Sequence, residues 1–493
     1  MNGKGIWLLL MLTLSIPCAG QALQSRVNGS IAEANLVQAL EKEVPSLMAK
    51  ADVPGLSIAL IRDGKPYWNH GFGVKNSQTK EPVTAETVFE AASLSKPVFA
   101  YAVLKLVDQG KLDLDAPLNT YLPGNYDAGD DVRINKITAR KVLSHTTGFP
   151  NWRTPRGAKT LPILFEPGER FSYSGEGFVY LSKVVEAITK MKFEDYVNES
   201  VLKPLGMASS SFEWQERYKP LKAYNHDFIG NPTGQGESNG SNAAGSLLTT
   251  TADYALFISA ILNGSGLKKE TRALMLTPQS TVNESCRTCA TPPTGSLSKE
   301  VFWGLGVGLQ KTADGTSFWH WGDNGNNKAF FAAFDKQKDG IVMLTNSANG
   351  LLILEDLLAT SFPRKFPAVL WINVGRFDSP ARVLMTSLIK QGSERAIADY
   401  KKRRASGADQ ILDEARINSM GYDLLRVKKI DEAIALFTLN TQDFPKSSNV
   451  WDSLGEAYMV KGDKPKAIEN YKKSLELDPN NKGAIENLKK LEQ

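Results

Sequence analysis

The chain has 493 residues, of which 42% are hydrophobic and 23% charged. This composition is typical of a globular protein with a large core, and it excludes a disordered or fibrous chain. The formal net charge of +5 is small and dispersed, so charge does not indicate nucleic-acid binding.

Residues 1–22 have the features of a secretory signal peptide. Lys4 precedes an apolar run from Ile6 to Ile16, and the small residues Gly20 and Ala22 form a cleavage site. The run is about half the ~20 apolar residues that a membrane-spanning helix needs, and no later segment reaches that length. The sequence therefore predicts an exported protein, periplasmic or secreted, without a membrane span.

A β-hairpin is predicted near the start of the first domain. Gly55 to Ile61 and Pro66 to Val74 have the composition of strands. Asp63-Gly64 between them is a common hairpin turn. We therefore expect two adjacent antiparallel strands here.

Residues 93–96, Ser-Leu-Ser-Lys, place a hydroxyl and an amine one turn apart at the start of a predicted helix. A serine hydroxyl is a weak nucleophile until a neighbouring base takes its proton. A lysine can be that base only if its pKa falls well below about 10.4. Since Pro97 to Val107 are largely apolar and Gly110 would end the helix, we expect Lys96 to be buried. The motif predicts Ser93 as the nucleophile and Lys96 as its base.

Two other serine motifs are expected to be non-catalytic. Gly236 to Gly240 match Gly-x-Ser-x-Gly around Ser238 but lie in a Gly- and Asn-rich loop. That loop lacks the strand, turn and helix of a nucleophile elbow. Residues 296–299 repeat Ser-Leu-Ser-Lys, yet they follow a Pro-rich loop and precede a strand, so Lys299 gains no helical neighbour.

Cys286 and Cys289 form a Cys-Arg-Thr-Cys segment in a predicted loop. An oxidising compartment favours a short-loop disulfide. A metal would need two more ligands, and no paired Cys or His accompanies them. A redox motif would need a thioredoxin-like strand and helix. A structural disulfide is the favoured interpretation, and no metal or organic cofactor is predicted.

A second group of predicted strands lies towards the end of this region and is followed by a helix over Leu351 to Ala359. These strands are Phe302 to Gln310, Ser317 to Trp321, Ala329 to Asp335 and Ile341 to Thr345. The middle of the region is mostly helix and loop. We therefore expect strands from both ends to meet in one sheet with helices packed on it.

The domain spanning residues 23–362 is followed by residues 363–380, which are rich in Pro, Arg and aromatic residues and are predicted to be a linker. Residues 381–493 then repeat with a period of 34, typical of tetratricopeptide repeats. Positions that match at this offset are Gly421 and Gly455, Ala433 and Ala467, Phe437 and Tyr471, and Pro445 and Pro479. We expect an all-helical array, for which a protein partner is a candidate.

Two further segments follow residues 93–96 in order: Phe171-Ser172-Tyr173-Ser174-Gly175 and His320-Trp321-Gly322. The ordered motifs Ser-x-x-Lys, Tyr-Ser-x and His-x-Gly resemble the serine hydrolases related to class C β-lactamases and penicillin-binding DD-peptidases. This family also contains esterases and D-aminopeptidases. The resemblance covers about residues 36–362, and residues 142–148 and 244–253 are similar to scaffold segments of the family.

The resemblance implies an α+β fold: a β-lactamase/transpeptidase-like domain with an antiparallel sheet and flanking helices, before the all-α repeat domain. Ser93 would form the acyl-enzyme and Lys96 would hold or take its proton. Tyr173 would pass a proton to the leaving group and activate the deacylating water.

The same resemblance implies substrate-binding roles. The backbone N–H groups of Ser93 and Asp323 would form the oxyanion hole, where Gly322 allows close approach. His320 would line the site from an edge strand and orient a substrate carboxylate or the tyrosine. His145 is expected to be structural.

Gly175 departs from the family pattern, in which asparagine often holds the acyl side chain of the substrate. Its lack of a side chain predicts faster turnover of simple esters than of penicillins. We therefore expect an exported serine hydrolase that forms an acyl-serine intermediate on small-acyl esters or amides, with D-peptides as one candidate substrate. The alternatives are a β-lactamase or penicillin-binding DD-peptidase, and a non-catalytic penicillin sensor or scaffold.

Overall fold

The computed structural model describes residues 33–124, 126–237 and 240–493. The predicted signal peptide and Ser238 lie outside the described residues. The N-terminal domain is built on an eight-stranded antiparallel sheet in the order β2-β1-β12-β11-β10-β9-β8-β7. Its strands are β1 (Gly55–Arg62), β2 (Lys65–Gly73), β3 (Phe89–Glu90), β4 (Asn225–His226), β5 (Pro232–Gly234), β6 (Leu248–Thr249), β7 (Ser280–Asn283), β8 (Leu297–Trp303), β9 (Gly308–Thr312), β10 (Gly315–Asp323), β11 (Lys328–Phe334) and β12 (Asp339–Thr345), where β3 to β6 form two small separate sheets.

Helices cover the sheet, and the described helices include none that is long and apolar enough to cross a membrane. The helices of this domain are α1 (Glu33–Ala51), α2 (Ser95–Asp108), α3 (Ala139–Leu143), α4 (Gly175–Thr189), α5 (Phe193–Val197), α6 (Thr251–Asn263), α7 (Lys269–Met275), α8 (Leu354–Ser361) and α9 (Pro367–Ile372). Two hydrophobic clusters form the core. One surrounds α2, α4 and α6, and the other lies between the sheet and α1 and α8.

The sheet joins strands from both ends of the domain, which confirms the predicted α+β fold. β1 pairs antiparallel with β12, where Leu56 lies opposite Thr345. One predicted strand, Phe302 to Gln310, is two strands, β8 and β9. A turn separates them because Gly306 has a φ of 83° and packs against α2, where a Cβ would lie 2.2 Å from that of Ala100.

The central helix α2 is buried on almost all sides. Its apolar residues pack into the larger cluster, and Lys96 is as deeply buried as they are. Helices with apolar residues all round are typical of the interior of a large domain. The fold therefore removes the Lys96 amine from water.

The predicted linker over 363–380 is a packed segment for part of its length, which corrects that boundary. It contains α9, whose Trp371 is 7% exposed and donates a hydrogen bond from Nε1 to the carbonyl oxygen of Asn283 at 2.8 Å. A helix of six residues is too short to show a period in the sequence. The N-terminal domain thus extends at least to the end of α9.

The C-terminal residues form paired helices, as the 34-residue period predicts. They are α10 (Pro380–Gln391), α11 (Ser393–Ala405), α12 (Glu414–Arg426), α13 (Ile430–Asp443), α14 (Ser448–Lys461), α15 (Lys464–Leu477) and α16 (Lys482–Glu492). A Cβ on Gly421 would lie 2.5 Å from the Phe437 ring, and one on Gly455 would lie 3.0 Å from the Tyr471 ring. The repeated glycine therefore makes room for the repeated aromatic ring.

We predict that the fragment ending at Ser379 folds alone, because α9 stays in the core and only the repeat helices are removed. A matched fragment ending at Lys365 loses Trp371 and should be less stable by at least about 3 kcal/mol, the scale of deleting a buried tryptophan. Thermal and urea unfolding followed by circular dichroism measure both. Equal stability of the two fragments would show that α9 adds nothing to the core.

Candidate active site

Ser93 lies in a tight turn, Ala92–Leu94, that leads directly into α2. Ala92 has a φ of 49°, a left-handed conformation that costs a non-glycine residue energy and persists only where neighbours enforce it. The Ser95 hydroxyl donates to the Ala92 carbonyl at 2.6 Å and accepts from the Leu247 N–H at 2.9 Å. These bonds fix the turn that presents Ser93.

Lys96 reaches back along the helix to Ser93, as the spacing predicts. Its Nζ lies 3.0 Å from the Ser93 Oγ and donates to the Ala244 carbonyl at 2.8 Å. Among the described residues, no carboxylate forms an ion pair with it. Burial lowers the pKa of Lys96 to about 7. A large fraction of the amine is therefore neutral near pH 7 and able to accept the Ser93 proton.

Tyr173 lies just before α4 and faces the same pair. The Lys96 Nζ is 4.8 Å from the centre of its ring. Burial raises the pKa of Tyr173, and the nearby Ser93 hydroxyl only partly offsets this. The Tyr173 hydroxyl makes no hydrogen bond of standard geometry within the described part of the chain. It is therefore a neutral phenol near Ser93, and Lys96 is the better base.

Three buried polar atoms without partners cluster around the amine. They are the hydroxyl of Tyr173 and the Nε2 atoms of His145 and His320, considering only partners among the described residues. Burial first, and then the charge of Lys96, lowers the pKa of both histidines, to about 3 for His320. Unsatisfied buried polar groups are rare in folded proteins and mark functional sites when they cluster.

The position of His320 in the sheet differs from the predicted one. β10 is an interior strand with β9 and β11 on either side, so the prediction of an edge strand was wrong. The side chain is fully buried, and its Nδ1 lies 2.7 Å from the Trp321 carbonyl oxygen. His320 therefore packs beside Tyr173, at 6.1 Å between rings, and does not face solvent.

His145 supports the tyrosine in a way that the sequence did not reveal. Its ring centre lies 4.3 Å from that of Tyr173, and its Nδ1 accepts the N–H of Ser174 at 3.0 Å. A structural role was predicted for His145, and these contacts show that it supports the loop that carries Tyr173. The only sequence signal for this role was that His145 lies in residues 142–148, which are similar to a scaffold segment of the family.

The turn of Ser93 and the end of β10 are in direct contact. A Cβ on Gly322 would lie 2.5 Å from the Ala91 carbonyl oxygen and 3.1 Å from the Ala92 Cβ. Only glycine permits this approach. It brings the backbone at Ser93 next to that of Asp323, the arrangement that a two-donor oxyanion hole needs.

Gly175 has a neighbour that sequence reasoning missed. A Cβ at this position would lie 2.7 Å from the indole of Trp152. Its N–H also donates to the Asn151 Oδ1 at 2.9 Å. The Trp152 ring, which is 39% exposed, therefore occupies the space into which a polar side chain at 175 would project.

Cys286 and Cys289 form the predicted disulfide. The loop that it closes lies at the site, because the Tyr173 N–H donates to the Arg287 carbonyl oxygen at 2.9 Å. The Arg287 side chain is exposed and makes no ion pair within the described part of the chain. Partial burial lowers the pKa of Arg287, and the negative charge of Asp323 acts in the opposite direction. The disulfide thus holds a cation near Asp323.

The second Ser-Leu-Ser-Lys motif, which lies wholly within the described residues, forms no second site. Ser296 is exposed and donates to the Glu284 carboxylate at 2.8 Å, and Lys299 is exposed on β8. Within residues 33–124, 126–237 and 240–493, no group of three or more His, Cys, Asp or Glu residues could hold a metal ion.

Comparison with known proteins agrees with this geometry. The family model described as Beta-lactamase matches residues 40–356. The chain belongs to the beta-lactamase family. A tetratricopeptide-repeat model matches residues 450–481, so this member carries a helical repeat domain after its beta-lactamase domain.

Curated relatives are similar over part of their length. Protein flp of Staphylococcus aureus strain N315 is 26% identical over 330 residues, which cover 63% of this chain and 63% of the relative. Penicillin-binding protein 4* of Bacillus subtilis is 29% identical over 170 residues, covering 31% of this chain and 36% of that protein. The chain thus matches less than two thirds of either relative.

Two solved structures share the fold. The octameric penicillin-binding protein homologue from Pyrococcus abyssi has a TM-score of 0.56 and 24% identity, covering 71% of this chain and 81% of that one. D-alanine carboxypeptidase AmpC from Burkholderia cenocepacia has a TM-score of 0.55 and 19% identity, covering 66% and 99%. These likenesses establish the beta-lactamase fold and leave the substrate to be argued from the site.

We predict that the rate at which a fluorophosphonate labels Ser93 rises with pH and levels off above about pH 7, because the neutral fraction of Lys96 grows as pH passes its lowered pKa. Stopped-time labelling between pH 5 and 9 measures the midpoint. Lys96→Ala should label at least about a hundredfold more slowly, without that midpoint. A near-normal rate in Lys96→Ala would move the base role to Tyr173.

Proposed function

We propose that this protein is an exported serine hydrolase that cleaves small-acyl esters or amides through an acyl-serine intermediate. The observation that carries the proposal is the 3.0 Å contact between the Ser93 hydroxyl and a fully buried Lys96 amine. A lysine whose pKa lies near neutrality serves as a general base. Export rests on the sequence of residues 1–22.

Acylation follows from these positions. Lys96 accepts the Ser93 proton as the serine oxygen attacks the substrate carbonyl carbon. The backbone N–H groups of Ser93 and Asp323 stabilise the oxyanion that forms. The leaving group then departs with a proton, and the neutral Tyr173 phenol beside Ser93 relays it from Lys96.

Deacylation reverses the proton path. Water attacks the acyl-serine carbonyl carbon and its proton passes to the neutral Lys96 through Tyr173. The new tetrahedral centre collapses, the acid leaves, and the Ser93 oxygen regains its proton. No step needs a metal ion or an organic cofactor.

The acyl side of the site favours apolar groups. Trp152 lies over Gly175, so the indole takes the place of a hydrogen-bonding side chain. A buried substrate amide without a partner costs about 1–3 kcal/mol. Simple esters lack that amide and avoid the cost.

A second candidate function is supported by Arg287. Arg287 is exposed over part of its side chain, makes no ion pair among the described residues and lies on the loop whose carbonyl group accepts the Tyr173 N–H. Arginine binds carboxylates through paired hydrogen bonds. This favours substrates with a free carboxylate, as in D-peptides or β-lactams. The name of penicillin-binding protein 4* of Bacillus subtilis, a relative, is in keeping with this alternative.

The nucleophile assignment is tested by covalent labelling of the full-length protein. Ser93→Ala should abolish labelling by a fluorophosphonate, because only Ser93 contacts a buried lysine among the described serines. Ser296→Ala and Ser238→Ala are the matched controls and should label normally. Retained labelling of Ser93→Ala would contradict the proposal.

Substrate preference is tested by comparing p-nitrophenyl acetate with a penicillin. The ester should have the higher kcat/KM, by about tenfold to a hundredfold, the rate equivalent of an unpaired amide. Gly175→Asn alone should not change the ratio of the two kcat/KM values, because the new Cβ collides with the Trp152 indole.

The double variant Gly175→Asn/Trp152→Ala removes that collision and should narrow the ratio, with Trp152→Ala alone as its control. A higher kcat/KM for penicillin in the wild-type protein, or an unchanged ratio in the double variant, would show that another residue supplies the amide contact.

A further inference from the structure

A buried carboxylate lies on the short strand that leads into the Ser93 turn. Glu90 is on β3, three residues before Ser93, and its side chain is 7% exposed. It faces Lys222, whose side chain is 1% exposed and whose Nζ lies 3.6 Å from the Glu90 Oε1. Nothing in the acylation steps uses this pair, so its presence in the core needs another explanation.

Three asparagine side chains donate to the Glu90 carboxylate. Asn225 donates at 2.7 Å, Asn327 at 2.7 Å and Asn324 at 3.2 Å. Hydrogen bonds to a charged acceptor are stronger and shorter than neutral ones. Burial raises the pKa of Glu90, but Lys222 and the three amides outweigh it and lower the pKa overall. The carboxylate therefore stays charged and acts as a fixed acceptor.

Two of these donors belong to the turn after β10. Asn324 follows Asp323 directly, and Asn327 ends the same turn before β11. Asn324 also donates to the Gly245 carbonyl at 3.2 Å, next to Ala244, the carbonyl partner of Lys96. One carboxylate thus connects the strand that leads to Ser93 with the turn that begins at Asp323.

We propose that Glu90 is a positioning residue that aligns the two halves of the oxyanion hole. Its backbone leads into the Ser93 turn, and its carboxylate holds Asn324 and Asn327 and, through them, the N–H of Asp323. Lys222 neutralises the buried charge. This inference rests on the proposed acyl-transfer function and adds a residue that touches neither the substrate nor the reacting atoms.

The three donors provide a matched test, because only two of them lie on the turn. Asn327→Ala removes one hydrogen bond to Glu90 from the β10–β11 turn. Asn225→Ala removes one of equal length from β4, and it also removes a 3.3 Å contact with Lys222. The control therefore disturbs the ion pair at least as much as the test variant does.

The full-length variants are compared by fluorophosphonate labelling, whose phosphoryl oxygen occupies the oxyanion hole, and by kcat and KM for p-nitrophenyl acetate. Asn327→Ala should lower the labelling rate and kcat about tenfold to a hundredfold, below the full loss of one oxyanion donor. KM and the pH midpoint of labelling should not change. Asn225→Ala should stay within about threefold of wild type in all of these measurements.

Asn324→Ala is a second test variant, because Asn324 is exposed and its loss leaves the core intact. It should change kcat and labelling in the same direction. Equal losses in Asn225→Ala and Asn327→Ala, or wild-type rates in both turn variants, would overturn the positioning role. A wild-type protein that does not label at all would instead contradict the proposed function, and the inference with it.

Discussion

The structure depends on the burial of one amine without an opposing carboxylate. Lys96 lies on a helix that is surrounded by the core. Among the described residues, the only hydrogen-bond partners of its Nζ are the Ser93 hydroxyl and the Ala244 carbonyl. Desolvation disfavours the charged form of an amine. The same environment keeps Tyr173 protonated and both nearby histidines neutral. A site with little charge at neutral pH can move one proton between an amine, a hydroxyl and a phenol.

The sheet and its turns bring these groups together from distant parts of the chain. Gly322 lets β10 contact the Ser93 turn, and Ala92 is held in a left-handed conformation at that contact. The Ala92 conformation is a local energetic cost that the surrounding structure enforces. Glu90, paired with Lys222, accepts hydrogen bonds from the turn that follows β10. The repeat domain contributes none of these groups, and its first helix α10 contacts the N-terminal domain through Asp52, with Lys390 at 2.7 Å.

The sequence predicted what depends on local spacing. Ser93 and Lys96 are one turn apart, and the apolar residues of the helix that follows them indicated that the lysine is buried. The hairpin at Asp63-Gly64 and the 34-residue repeats are likewise local or periodic signals, and the structure contains both. Tyr173 followed from the family resemblance and not from the physical pattern around it.

The rest depends on contacts between residues far apart in sequence. Trp152 over Gly175, His145 against Tyr173 and Asn327 on Glu90 have no sequence signal, because tertiary packing sets them. The interior place of His320 depends on strand order, which the alternation of residues along β10 does not show. Trp371 was assigned to a linker because a helix of one and a half turns has no visible period.

Burial lowers the pKa of Lys96 to about 7, and the pH dependence of folding tests this directly without any substrate. The measurement is the difference in unfolding free energy between wild type and Lys96→Met from pH 6 to 10. An unfolded lysine titrates at about 10.4 and the folded one at about 7, so between these values the unfolded wild type binds one more proton. Wild-type stability relative to Lys96→Met should therefore rise by about 1.4 kcal/mol per pH unit above about pH 7. A difference that does not change with pH would show that Lys96 stays charged in the folded protein.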